Sequence, residues 1–147
     1  MPMVLKADSA ARGKQMSMAT GFVSEGVEGL FVLDHLSGRL QCWVINRRTG
    51  DIGGIYEASA AAALGGDKGG EMDYVMTTGQ IDIQGVRGSD KPAHSVCYVG
   101  DGNSGKVVGY TFQFDNEAFA KGKVDRGRLG IICRGIIRNS AGTRDQE

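Results

Sequence analysis

The sequence predicts an all-β domain of two repeated, four-stranded antiparallel units with one or two short helices. The apolar runs are short, rich in Val, Ile, Phe and Tyr, and bounded by Gly, Asp, Asn and Ser, which is the pattern of strands joined by tight turns. The 147 residues include 24 glycines, about twice the usual share of roughly 7%, and most of them separate these runs. The alternative is a single eight-stranded sandwich or barrel that closes within one chain.

The strands fall into two sets of four. The first set is predicted at Ala19–Ser24, Gly29–Asp34, Arg39–Asn46 and Ile52–Glu57. The second set is predicted at Tyr74–Gln84, Ser95–Val99, Lys106–Phe114 and Arg128–Arg138. One short helix is predicted at Glu57–Leu64, which the glycine pair after Leu64 would end. A second is predicted at Asn116–Lys121, where Asp115 can cap the first turn.

The two sets are related by an internal repeat. The segment from Leu30 to Leu40 aligns without gaps with the segment from Cys97 to Val107. The shared turn residues are Asp34, Ser37 and Gly38 in the first copy and Asp101, Ser104 and Gly105 in the second. We therefore predict one β domain over residues 16–139, made of repeats at about 16–72 and 73–139. Residues 1–15 are predicted to form a flexible arm and residues 140–147 a flexible tail.

The second of these turns also resembles a phosphate-binding loop. Gly100 precedes Gly105-Lys106 at the spacing that such loops require. A phosphate loop, however, is followed by a helix whose N-terminus holds the anion, whereas Val107–Phe114 alternates as a strand does. The aligned turn of the first copy also lacks the first glycine. Both turns are therefore predicted to be hairpins, with a positive φ at Gly38 and Gly105.

Composition argues against several classes of partner. Seventeen basic residues balance seventeen acidic ones, so no net charge attracts nucleic acid or a membrane surface. No apolar run approaches the ~20 residues of a membrane span, and the N-terminal residues lack the apolar region of a secretory signal. Cys42, Cys97 and Cys133 are far apart and are predicted to be buried free thiols in a reducing, cytoplasmic compartment. We expect no cofactor and no metal.

The sequence contains no recognisable catalytic set, and five residues are candidates for ligand binding. They are Trp43, Arg47, Arg48, His94 and Tyr110. The paired arginines could hold an anion or a partner's carboxylate, although exposed turn arginines fit the pattern equally well. The motif Asp34-His35-x-Ser37 contains hydrolase residue types, but neighbours in a turn rarely meet as a triad does.

Two charged clusters have more than one interpretation. Asp67, Glu71 and Asp73 border a glycine-rich loop, but their spacing fits no EF-hand. The arginines around the last strand predict a salt-bridged subunit contact or, alternatively, an anion-binding strip; they are Arg126, Arg128, Arg134 and Arg138.

The stretch Gly29–Ile52 resembles one blade of a lactonase-type β-propeller. It has a strand, a Ser-Gly turn and a second strand, followed by a turn of the form Asp/Asn-x-x-Thr-Gly-x-Leu, here Asn46-Arg47-Arg48-Thr49-Gly50-Asp51-Ile52. The resemblance implies a blade fold, and none of the family's catalytic groups can be matched. Propellers typically need four to eight blades to close a ring, and an open strand edge is prone to pairing.

We therefore expect a non-enzymatic structural protein that assembles with copies of itself, into a ring or a larger array. The alternatives are a small-molecule or carbohydrate binding module and a lactonase-like hydrolase.

Overall fold

Twelve strands and one helix are found in the part of the chain that the structure describes. The structure is a computed structural model and describes residues 10–66, 70–83, 91–115, 117 and 120–138. The strands are β1 Ala10–Arg12, β2 Met16–Ser24, β3 Val27–Asp34, β4 Arg39–Ile45, β5 Ile52–Ser59, β6 Tyr74–Gln80, β7 Lys91–Pro92, β8 Ser95–Asp101, β9 Lys106–Thr111, β10 Gln113–Phe114, β11 Asp125–Arg128 and β12 Gly130–Ile136. The helix is α1 Ala60–Leu64. The all-β prediction is confirmed.

The strands form two main sheets. A six-stranded sheet has the order β1-β2-β3-β4-β5-β11, a four-stranded sheet has the order β12-β9-β8-β6, and β10 pairs with β7. All pairings are antiparallel except that of β11 with β5. Each sheet thus contains four successive antiparallel strands of the predicted sets, β2 to β5 in one and β6, β8, β9 and β12 in the other.

The sheets pack face to face around a shared core. Alternate residues along β2, β3 and β4 are buried, as the two-residue period of a strand requires. Phe31, Leu33 and Cys42 from one sheet meet Val99 and Tyr110 from the other in a single buried cluster. Burial of such side chains is the main source of stability in a domain of this size.

Direct contact between strands of the two sheets is found at β2, which lies against β6 and β8. There the Thr78 hydroxyl donates a hydrogen bond of 2.6 Å to the Thr20 carbonyl. At the opposite side, two recesses lie among β5, β11 and β12. Leu129 links β11 to β12 at this side; it is buried, and its amide donates to the Glu57 carbonyl at 2.9 Å.

The helix α1 follows β5 without a loop. Ser59 is its N-cap, accepting a hydrogen bond of 3.1 Å from the Ala62 amide, and Gly65 ends it with a φ of 82°. The predicted end is confirmed. The predicted start at Glu57 is wrong, because β5 continues to Ser59 and keeps Glu57 in the sheet. Three residues of the second predicted helix, Asn116–Lys121, lie outside the described part of the chain. Of the others, Glu117 and Ala120 have helical backbone, the Lys121 amide donates to the Glu117 carbonyl at 3.1 Å, and the Asp115 carboxylate accepts from the Glu117 amide at 2.9 Å.

Five predicted strands differ from those observed by at most three residues at either end, and the other three differ more. The last one, Arg128–Arg138, is divided at Leu129 into the end of β11 and β12, which belong to different sheets. The strand predicted over Lys106–Phe114 is interrupted at Phe112, and the one predicted to reach Gln84 ends at Gln80. Residues 10–12, assigned from sequence to the arm, form β1 on the edge of β2, while residues 1–9 and 139–147 lie outside the described part.

The predicted burial of the three thiols is confirmed at two positions and wrong at the third. Cys42 and Cys97 are buried in the shared core, where desolvation raises the pKa of both thiols. Cys133 is exposed, because β12 lies at the edge of its sheet and every residue of this strand is exposed.

The two repeated turns have the same geometry. Gly38 and Gly105 have φ values of 75° and 77°. Each donates its amide to the carbonyl of the turn aspartate, Asp34 or Asp101, at 2.7 Å. The carboxylate of that aspartate accepts amides within the turn. Strand β9 follows Gly105 directly, so Gly100–Val107 is a hairpin connection and provides no helix N-terminus for a phosphate.

The Asp101 turn should make the fold sensitive to acid. Burial by itself would raise the pKa of Asp101, but hydrogen bonds from the Asp73, Asn103 and Ser104 amides and the Ser104 side chain bring it below its usual value. A carboxylate with a lowered pKa stabilises the fold above its unfolded pKa of about 3.9, and this contribution is lost as pH falls through the folded pKa.

Replacement of Asp101 by Asn is therefore expected to lower the free energy of unfolding at pH 7 by about 2 kcal/mol. The difference from wild type should shrink as the pH falls below about 4. Urea unfolding at several pH values measures this effect. Asp51→Asn is the control, since Asp51 is an exposed turn residue. A difference that stays constant down to pH 3 would contradict the role given to the carboxylate.

Candidate functional site

The five predicted ligand-binding residues do not come together. Trp43 lies on the outer face of the six-stranded sheet, where its Nε1 donates to Gln41 Oε1 at 2.9 Å. Tyr110 lies in the core on the other side of that sheet. Arg47 and Arg48 are exposed in the turn between β4 and β5, and the Arg47 guanidinium reaches Gly26. His94 is exposed before β8, with its ring 5.7 Å from that of Phe22.

The outer face of the six-stranded sheet is rich in apolar side chains. Strand register places Leu30, Trp43 and Ile55 in one row across β3, β4 and β5. Met18 and Val32 occupy the neighbouring row on β2 and β3. These five residues, called the outer face below, are partly exposed, although the strands that carry them also contribute the core on their opposite side.

Strand β12 is the second exposed apolar surface. Within the described residues only β9 pairs with it, so its other backbone edge is open. Its three isoleucines, Ile131, Ile132 and Ile136, are 40%, 41% and 50% exposed. Ile137, which follows the strand, is 74% exposed. The corresponding edge in the other sheet, that of β5, is covered by β11.

The larger of these two recesses has a volume of about 590 Å³ and lies between β11 and β12. Tyr56 lines it and donates its hydroxyl to the Asp125 carboxylate at 2.5 Å. Burial and this hydrogen bond raise the pKa of Tyr56. The Tyr56 ring stacks on that of Phe112, with 4.3 Å between the ring centroids. The Tyr56–Asp125 hydrogen bond joins β5 to β11, and the Tyr56 hydroxyl therefore already has a partner within the protein.

The second recess, called the Tyr110 recess below, has a volume of about 420 Å³ and lies between β5, α1 and β12. Tyr110 is 1% exposed, and its hydroxyl has no hydrogen-bond partner among the described residues. Arg128 and Arg134 also line this recess. Of the four arginines predicted around the last strand, Arg128 and Arg134 line this recess, and Arg126 and Arg128 line the larger one. Arg138 instead donates to the Gly102 and Asn103 carbonyls at 3.1 Å.

The structure also forms a serine–histidine pair that the sequence analysis missed. His35 Nε2 lies 2.7 Å from Ser17 Oγ, and His35 Nδ1 lies 3.1 Å from the Lys14 carbonyl oxygen. The motif residue Ser37 instead donates to the Asp34 carboxylate at 2.7 Å. The Ser17–His35 contact depends on the pairing of β2 with β3, which no local motif reveals. Ser17 is 2% exposed, and neither residue lines the two recesses described above.

The acidic residues around the glycine-rich loop have structural contacts. Asp73 forms an ion pair of 2.8 Å with Arg12, which ties β1 to the start of β6. The Glu71 carbonyl accepts from the Asn103 side chain at 2.8 Å, and Asp67 lies outside the described residues. Among the residues described, no group of three or more His, Cys, Asp or Glu could hold a metal ion. No helix in that same part of the chain has the length and apolar character needed to cross a membrane.

Comparison of the chain with protein-family models, with curated proteins and with solved structures finds no match.

Proposed function

We propose that the protein is a non-enzymatic structural protein that assembles with copies of itself. The observation that carries this proposal is β12, a seven-residue edge strand with exposed isoleucines and a second backbone edge that no described residue pairs with. Such an edge is a template for pairing with a further strand, and proteins that remain monomeric usually shorten, charge or cover it. A second copy can bury both the open backbone and the isoleucines.

The blade resemblance supports the same proposal. Each main sheet contains one of the two predicted four-strand sets, and the sheets meet where β2 contacts β6. The equal geometry of the Gly38 and Gly105 turns supports an origin by internal duplication. Two blades leave the outer face without a neighbour, and Leu30, Trp43 and Ile55 would be covered by the adjacent copy in a ring or array.

The Gly135→Lys variant tests the part played by β12. A Cβ at Gly135 meets nothing within 4 Å, so the lysine should not disturb the chain's own fold, and an edge lysine opposes strand pairing. We expect light scattering to give a mass for the variant well below that of the wild-type assembly. The matched control is Gly70→Lys, at another glycine with open space around it, which should keep the wild-type mass. Equal masses for the two variants would remove β12 from the interface.

A binding function is the second candidate, and the Tyr110 recess favours it. A concave site of this volume with a few convergent polar groups is typical of small-ligand sites. The hydrolase alternative has less support, because a nucleophile must reach its substrate and Ser17 is buried.

A further inference from the structure

The C-terminal half of β12 is a regular antiparallel strand. From Cys133 to Ile136 its residues pair one for one with β9, and a register shift separates them from the residues before Cys133. The Ile137 amide continues the regular pattern by donating to the Gly105 carbonyl at 2.9 Å. The regular part of the strand therefore runs from Cys133 to Ile137, and Gly135 is its midpoint.

The direction of the backbone hydrogen bonds shows which residues of this segment face the second edge of β12. Successive residues of an antiparallel strand direct their N–H and C=O groups to opposite neighbours. Since the Ile137 amide points to β9, the backbone groups of Gly135 and Cys133 point there as well. Arg134 and Ile136 therefore direct their backbone groups away from β9, to the edge with which no described residue pairs.

Among the strand edges formed by the described residues, β12 is the longest that no other element covers. β1 has three residues, β11 has four, and β7 and β10 have two each. β11 also carries the exposed Arg126 and Arg128, and charged residues on an edge oppose strand pairing. The other outer strand of the four-stranded sheet, β6, lies against β2. The strand of a second copy that matches β12 in length is therefore β12 itself.

We propose that two copies of the chain join through β12 as antiparallel strands, about a two-fold axis at Gly135, so that their four-stranded sheets become one continuous sheet. Such an axis brings the same surface of both copies together and closes the interface. Gly135 has no side chain, which allows the second backbone to approach closely. This inference rests on the proposed self-assembly and names the surface and the register that join the copies.

The register follows from the outward backbone groups. With the axis at Gly135, Arg134 lies opposite Ile136 of the second copy, and the outward N–H and C=O groups of both residues are paired. An axis at Cys133 would instead pair Arg134 and Ile136 with the irregular part of the strand. An axis at Arg134 would place two guanidinium groups directly opposite each other, where like charges destabilise a sheet.

The same register covers the apolar side chains that are most exposed in the single chain. Ile136 and Ile137 are the most exposed of the four isoleucines in this region. Because cross-strand neighbours lie on one face of a sheet, Ile136 of the second copy lies beside Arg134, at a groove of about 390 Å³ between α1 and β12. On the other face, Ile137 of the second copy lies beside Cys133.

Disulfide crosslinking between copies tests the register. In the Cys133→Ser background, Gly135→Cys places a thiol of each copy at the axis, in a pair that is not hydrogen-bonded and has Cα atoms about 4.5 Å apart, which suits a disulfide. A Cβ at Gly135 meets nothing within 4 Å. With oxidised glutathione we expect a disulfide-linked dimer to form roughly a hundredfold faster than in the control, Gly70→Cys in the same background, because pairing raises the effective thiol concentration from micromolar to millimolar.

Other thiol positions distinguish this register from its neighbours. Wild-type Cys133 should not crosslink, since the two Cys133 residues would be offset by about 14 Å along the strands. Arg134→Cys and Ile136→Cys, each in the Cys133→Ser background, should crosslink when the two proteins are mixed and not when either is alone. Crosslinking through wild-type Cys133, or in either of these two variants alone, would overturn the proposed register.

Light scattering of the reduced proteins separates failure of this inference from failure of the proposed function. A mass above one chain, without faster crosslinking at Gly135→Cys than at Gly70→Cys, would leave self-assembly standing and overturn the pairing of β12 about Gly135. If Gly135→Cys alone dissociates the assembly, crosslinking of the mixed Arg134→Cys and Ile136→Cys proteins decides, and its absence rejects the register. A mass of one chain for the wild type would overturn both.

Discussion

The substitution Gly38→Ala is expected to lower the free energy of unfolding by about 3 kcal/mol. Gly38 has a φ of 75°, a conformation that costs an L-residue roughly 1–2 kcal/mol. A Cβ there would also clash with the Ala61 side chain and lie 2.6 Å from the Tyr74 hydroxyl oxygen, and overpacking of this kind typically costs about 1–3 kcal/mol. Denaturant unfolding followed by Trp43 fluorescence measures the loss.

The matched control for this prediction is Gly50→Ala. Gly50 has a φ of 82°, and an added Cβ would meet nothing within 4 Å. This variant carries the backbone cost alone, so we expect a loss of about 1 kcal/mol. Equal losses for the two variants would mean that the turn at Gly38 is not packed against α1 and β6.

The substitution Phe112→Ala is expected to cost about 4 kcal/mol, the middle of the range for removing a buried phenylalanine. Phe112 follows β9 of the four-stranded sheet. The centroid of its ring lies 6.4 Å from that of Phe31 and 4.3 Å from that of Tyr56, and both of these residues belong to the six-stranded sheet. Its removal therefore opens a cavity between the two sheets. Phe22→Ala is the comparison, because Phe22 is only partly buried, and about 1 kcal/mol is expected there.

The same unfolding experiment tests whether the two sheets unfold as one cooperative unit. Because both sheets share one core, fluorescence and circular dichroism should give coincident unfolding transitions in wild type and in Phe112→Ala. A Phe112→Ala loss no larger than that of Phe22→Ala, or separate transitions for the two probes in the wild type, would show that the sheets are not one cooperative unit.

The sequence was sufficient to predict features determined by local patterns. Alternation of apolar and polar residues places most strands within a few residues, and the Ser-Gly turns follow from the need for a positive φ at Gly38 and Gly105. The end of α1 follows from Gly65 for the same reason. Each of these features depends on neighbours in the chain and leaves a local signal.

Features set by contacts between distant segments could not be predicted. Leu129 divides an apparently continuous strand, because its amide donates to Glu57 of the six-stranded sheet and its side chain lies in the shared core. No local pattern marks that position. The exposure of Cys133 depends on whether a neighbour covers β12. The Ser17–His35 contact and the Tyr110 recess likewise require knowledge of strand register and of how the two sheets pack. Of the five predicted ligand-binding residues, only Tyr110 lines the Tyr110 recess. Arg128 and Arg134, from the predicted anion-binding strip, line it as well.

Sedimentation equilibrium of the full chain over a wide concentration range tests the proposed self-assembly most directly. The chain has a mass of 15.6 kDa. With β12 and the outer face both available to a second copy, the predicted result is a mass that is a whole multiple of this value at micromolar concentrations. A mass of one chain at every concentration would contradict the account.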